Sequence, residues 1–168
     1  MTAKGETTMP KTEYTIEPNR QDITTTVVLD APRDLVFKAY TDPEIFAKWW
    51  GPARYTNVVE KFDARSGGEW RVIQRGADGS EYGFHGVNHS VEAPERICQT
   101  FEYEGVPGHV ALQTATFESL GNKTRITAQI VFQSVMDRDG MVASGMKSGA
   151  DESMERLGEL LESLKKGK

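Results

Sequence analysis

Hydrophobic positions fall into three successive rhythms along the chain. In the first, Ile23, Thr25, Val27 and Leu29 alternate with Thr24, Thr26 and Val28, all strand-favouring types, which predicts a strand. Asp30-Ala31-Pro32 closes it and opens a helix whose buried side is Leu35, Val36, Phe37 and Tyr40. Asp42-Pro43-Glu44 repeats the start signal for a second short helix carrying Ile45, Phe46, Trp49 and Trp50, stopped by Gly51-Pro52. The second rhythm is a run of period-two segments separated by turn residues: 56–64, 69–75, 81–91, 96–103, 109–118 and 123–133. Their hairpin-length loops predict antiparallel neighbours. Within 123–133, Ile126, Ala128, Ile130 and Phe132 form an apolar face against Arg125, Thr127 and Gln129. In 81–91 the parity is open: Tyr82, Phe84 and Gly86 compete with Val87 and Val91 for the inner face, and a bulge would reconcile them.

The third rhythm is helical. After a short helix over 135–143, Met146, Ala150, Met154, Leu157, Leu161 and Leu164 step by three and four along one stripe of a long helix spanning 144–165. Asp151, Glu152, Glu155 and Glu159 take the solvent side, and Lys165 and Lys166 suit the helix C-terminus. A helix of this length reaches roughly 30 Å, about the width of a small domain. The stripe is small near Met146 (Gly145, Ser148, Gly149, Ala150) and leucine-rich beyond, so it packs tightly at one end and leaves room at the other. The fold class that follows is α+β: a curved antiparallel sheet wrapped around one long C-terminal helix, with two short helices after the first strand. Residues 1–19 are polar and broken by Pro10 and Pro18, and are expected to be a flexible tail, extended around Tyr14 to Glu17; residues 20–166 are expected to form one domain.

Composition narrows the function. A formal charge of −5 argues against binding nucleic acid through its phosphates. No apolar run reaches the roughly 20 residues of a membrane span, and the N-terminus lacks the order of a signal peptide, so a cytoplasmic protein is expected. The single cysteine, Cys98, excludes an intramolecular disulfide and reads as a reduced structural thiol. His85 and His89 share a strand face but stand roughly 13 Å apart, too far for one metal ion. His109 has no sequence neighbour to help it. No metal or cofactor is expected, and no catalytic motif is found. Arg71, Arg75 and Arg96 read as partners of nearby strand carboxylates such as Glu60 and Glu69.

Several stretches together resemble the START-like (SRPBCC, helix-grip, Bet v-type) superfamily. They are the run from Asp30 to Pro43, Lys48-Trp49-Trp50-Gly51-Pro52, Asp63 to Trp70, Arg75 to Gly79, Ala93-Pro94-Glu95-Arg96-Ile97, Lys123 to Thr127, and Gly145-Met146 with Ser153 to Leu157. More narrowly the chain is similar to bacterial single-domain proteins of the heat-shock protein 90 ATPase activator homologue family. The resemblance covers nearly the whole chain and implies a hydrophobic cavity between sheet and long helix. Superfamily relatives use that cavity for lipids, sterols, polyketides and plant hormones, and some are cyclases or hydroxylase components. The eukaryotic activator carries a further N-terminal domain that grips the chaperone; this chain has no room for it, so chaperone contact is not expected. Many family members have tryptophan where this chain has Ala150, which implies a larger pocket here.

The resulting expectation is binding of a small hydrophobic molecule. Trp49, Trp50, Trp70, Phe101, Tyr103, Met146 and Ala150 supply the apolar lining and His85 a polar anchor, with at least one of Trp49 and Trp50 plugging the core. Two alternatives stand beside it. One is a cyclase- or hydrolase-like enzyme in the same cavity, which needs His85 or Glu69 facing inward. The other is a surface interaction protein, a homodimer or a chaperone partner, which needs an exposed apolar patch.

Overall fold

The alternating segments build one sheet. The computed structural model describes residues 9–167. Its strands are β1 (Glu13–Thr15), β2 (Asp22–Leu29), β3 (Tyr55–Phe62), β4 (Glu69–Gly76), β5 (Glu81–Glu92), β6 (Arg96–Tyr103), β7 (Val110–Leu120) and β8 (Lys123–Val131). The helices are α1 (Arg33–Thr41), α2 (Pro43–Trp49), α3 (Val135–Ala143) and α4 (Met146–Lys166). The sheet runs β1-β2-β8-β7-β6-β5-β4-β3 with every neighbouring pair antiparallel. Consecutive strands from β3 to β8 are neighbours, as their short loops require.

Local chemistry sets the helix ends. Asp42 ends α1 and caps α2, its carboxylate accepting from the Glu44 and Ile45 backbone N–H groups at 2.9 and 3.3 Å. Ser134 caps α3 by accepting from the Asp137 N–H at 3.0 Å. Gly145, at φ +88°, turns the chain between α3 and α4 in a conformation that a side chain disfavours.

Leu157 and Leu161 of α4 are fully buried against Val27, Leu29, Phe37, Trp49, Phe117 and Ile126, forming the main core. The other end of α4 is thinner: Met146, with Ile16 and Met141, packs on a small cluster of Ile23, Ala111 and Phe132. The fold is the α+β helix-grip arrangement that the patterning predicts.

The sheet begins earlier than the sequence suggests. Residues 1–8 of the expected tail lie outside the described residues, but Glu13–Thr15 pair with Thr24–Thr26 of β2. The three threonines on β2 offer an open edge there, and Tyr14 anchors the added strand to α4. No helix among the described residues is long and apolar enough to cross a membrane.

Candidate functional site

On the concave face of the sheet the central positions are small. Ala115 on β7 and Ala128 on β8 line a space that α4 borders with Ala150 and Ser153. Small residues on both sides leave the space between strand and helix unfilled. An inner cavity of about 250 Å³ results, lined mostly by buried and half-buried side chains. Its walls include Val27, Phe46, Trp50, Trp70, Ile97 and Ala150.

Phe101 also lines a second, outer chamber of about 670 Å³ at the α3–α4 junction. This chamber is bounded by Tyr55, Tyr82, Phe84, Tyr103, Met141 and Met146, and reaches the surface at Val106 and Met136, which are 51% and 82% exposed. An aromatic wall separates the two spaces. Phe84 stacks near Phe101 with centroids 5.6 Å apart, Trp50 meets Phe84 edge-on at 5.2 Å, and Trp70 lies along Phe101 at 6.1 Å.

The expected lining residues divide accordingly. Trp49, Trp50, Trp70, Phe101 and Ala150 border the inner cavity; Tyr103, Met146 and again Phe101 border the outer one. Trp49 is 2% exposed and donates its indole N–H to the Ala39 carbonyl at 2.9 Å, so it is the core plug of the pair.

His85 is a correction: it borders neither space. Tyr82, Phe84 and Gly86 take the inner face of β5, which puts His85 on the convex side, cross-strand from Arg71. There its Nδ1 lies 2.9 Å from Glu104, which also takes a bidentate pair of bonds from Arg71 at 2.8 Å. Arg71 bonds Glu60 as well. The Arg71 guanidinium first, then the His85 ring, holds the Glu104 carboxyl down at about 2. A bulge at Asn88–Ser90 then restores parity, so that Val91 lines the inner cavity while Val87 faces solvent. Glu69 is exposed and 3.3 Å from Lys61, so neither residue that proton transfer would need faces inward.

Three features escaped the sequence reading. Gln99 and Gln113, paired across β6 and β7, put an amide pair on the cavity floor, Gln99 Nε2 donating to Gln113 Oε1 at 3.4 Å. Strict alternation from Ile97 and Ala111 would have placed both inward. The segment from Pro10 to Ile16 straps the gap between β2 and α4: Pro10 lies against Gly158, Thr12 lines the inner cavity, and Tyr14 donates to Asp151 at 2.7 Å and to the Lys147 carbonyl at 3.1 Å. Asp151 therefore belongs to this contact rather than to a wholly solvated stripe. His109 finds its partner in Asp137 of α3, 2.9 Å away at the outer chamber. Among the described residues no group of three His, Cys, Asp or Glu is placed to hold a metal ion.

The family described as "Activator of Hsp90 ATPase homolog 1-like protein" matches residues 30–162, most of the chain. The chain belongs to this family. Solved structures agree with its fold. A protein from Arthrobacter aurescens, 24% identical, superposes with a TM-score of 0.83 over 90% of this chain and 91% of its own. One from Mycobacterium smegmatis, 22% identical, gives 0.80 over 89% and 95%, and one from Rhodobacter sphaeroides, 19% identical, gives 0.82 over 92% and 99%. No curated protein matches the chain in sequence. The family's fold commonly binds hydrophobic ligands.

Proposed function

We propose that this family member is a receptor for a small, mostly apolar molecule held between the concave sheet and α4. The observation that carries the reading is the inner cavity: about 250 Å³ lined by aromatic and aliphatic residues, with the Gln99–Gln113 amide pair and Asn88 among its polar groups. Small-molecule pockets run about 300–1,000 Å³. The inner space falls below that range by itself, and the outer chamber beyond Phe101 gives a guest somewhere to extend. Ala150 matters most, because it stands at the small end of the α4 stripe and a larger side chain there would occupy the space directly.

The test is saturable binding of the neutral fluorescent probe N-phenyl-1-naphthylamine to the wild type and to Ala150→Trp. The variant is expected to bind at least about tenfold more weakly, with its melting temperature held or raised by the added burial. An unsaturable signal in the wild type, or equal affinity in a folded variant, would overturn the reading.

A further inference from the structure

The receptor reading leaves open which chemical group the guest carries, and one side chain of the outer chamber bears on that. Gln74 of β4 lines this chamber and is only 6% exposed, so bulk water barely reaches it. Its amide has no hydrogen-bond partner among the described residues; Asn57, its neighbour on β3, spends its Nδ2 on the Ala47 and Trp50 carbonyls. Thr12 Oγ1, Asn57 Oδ1, Trp70 Nε1 and Ser90 Oγ are unpaired and sealed off from solvent. The Gln74 amide is unpaired but not sealed, and the space it opens to is the outer chamber. Its position is built in. At Gly51, with φ +76°, a Cβ would run into Gln74 Nε2, so the bare backbone there is what gives the amide room.

A primary amide both donates and accepts, through the N–H groups of Nε2 and the carbonyl oxygen Oε1. Buried polar atoms left without partners are costly, so the group that suits this site satisfies both kinds at once. An ether or ketone only accepts, and an ammonium only donates. Charge does not override that preference. Arg54 and Glu152 both line the chamber and attract one another, and Asp137 is paired with His109 at 2.9 Å. An anion drawn to Arg54 meets Glu152, and a cation drawn to Glu152 meets Arg54. The rest of the wall is largely apolar. Tyr55 and Tyr82 meet edge-on at 5.5 Å, and Met141 and Met146 supply flexible apolar surface.

We infer that the outer chamber binds a carboxamide-type group, an uncharged O=C–N–H unit on an apolar body, through paired hydrogen bonds to the Gln74 side chain. The inference rests on the receptor reading and adds the group recognised and the residue that recognises it. The guest carbonyl accepts from Nε2 while the guest N–H donates to Oε1, the pairing that two amides make with one another. The apolar body has the aromatic wall and, past Phe101, the inner cavity in which to lie.

Probes of matched size separate these cases: 3-phenylpropanamide, 3-phenylpropanoate, 3-phenylpropylamine and isopentylbenzene, titrated into the ¹⁵N-labelled wild type and into Gln74→Met. In the wild type the amide is expected to bind tightest and to move the Gln74 side-chain NH₂ resonances, which isopentylbenzene leaves in place. In Gln74→Met the affinity ratio of the amide to isopentylbenzene is expected to fall by about tenfold, the worth of its bonds to one buried amide. The variant's melting temperature is expected to hold or rise, because an unpaired amide gives way to an apolar chain of similar length. The wild-type resonances decide the matter even if the variant does not fold. Gln74 signals that stay still while other outer-chamber signals shift, or an anion or amine that binds as tightly as the amide, overturn the inference. A variant that loses stability yet keeps the affinity ratio overturns it too, since Gln74 is then a structural partner of Asn57. If no probe binds but N-phenyl-1-naphthylamine does, the inference falls and the receptor reading stands; if the naphthylamine fails as well, both fall.

Discussion

At position 86 a missing side chain does structural work. The Trp70 indole and the Thr100 carbonyl occupy the space that a Cβ would need, and both are held by neighbouring strands. Gly86→Ala is therefore expected to destabilise the fold by about 1–3 kcal/mol, the usual cost of overpacking, read as a lower urea midpoint with an unchanged slope. Trp70 and Gly86 could be placed on one face by alternation, but that they touch depends on register, which the sequence does not print. His85 illustrates the converse. Its type suggests an anchor, yet an unbroken alternation from Tyr82 to Gly86 sends it outward, and the bulge that confuses parity lies beyond it at Asn88–Ser90. Gln99 was legible by the same rule; an amide among apolar neighbours simply carries no motif.

Elements meet through a few polar clasps whose partners are far apart in sequence. Arg156 of α4 donates to the Lys48 and Gly51 carbonyls at 2.7 and 2.6 Å, holding the C-terminal end of α2, where a cation also suits the helix dipole. Arg156→Ala is expected to cost about 2 kcal/mol, the range of a hydrogen bond to a charged group. Because Trp50 closes α2, the same change should shift tryptophan fluorescence. On the opposite side Tyr14 ties the N-terminal strap to α4. Burial, and then Asp151, holds the Tyr14 phenol above its ordinary value, so the folded chain keeps a proton that the unfolded chain releases. Stability should therefore decline as pH climbs past about 10, and Tyr14→Phe should flatten that decline while costing about 1 kcal/mol at neutral pH. The elements themselves were nearly all visible from hydrophobic period and turn residues. β1 was so only in part: an extended stretch was expected around Tyr14 to Glu17, but Glu13–Thr15 become a strand only once β2 offers its edge.

Across the whole molecule, the convex face is joined by Arg71 of β4, Glu60 of β3, His85 of β5 and Glu104 just beyond β6. With the Glu104 carboxyl held down at about 2, its contribution is fully present above the unfolded value near 4.5 and is lost as pH falls toward 2. After solvent screening this amounts to about 1 kcal/mol. Glu104→Gln should lower the neutral-pH melting temperature slightly and remove that part of the acid dependence, as differential scanning calorimetry across pH 2–7 would record. The concave face has another consequence. Phe101 borders both chambers, so a guest moving from the inner to the outer one would have to pass that ring. Occupancy would then be governed by a door rather than by stickiness. Trimming the ring with Phe101→Ala should shorten dwell time, seen as faster release in stopped-flow, more than it changes how much guest is held at equilibrium.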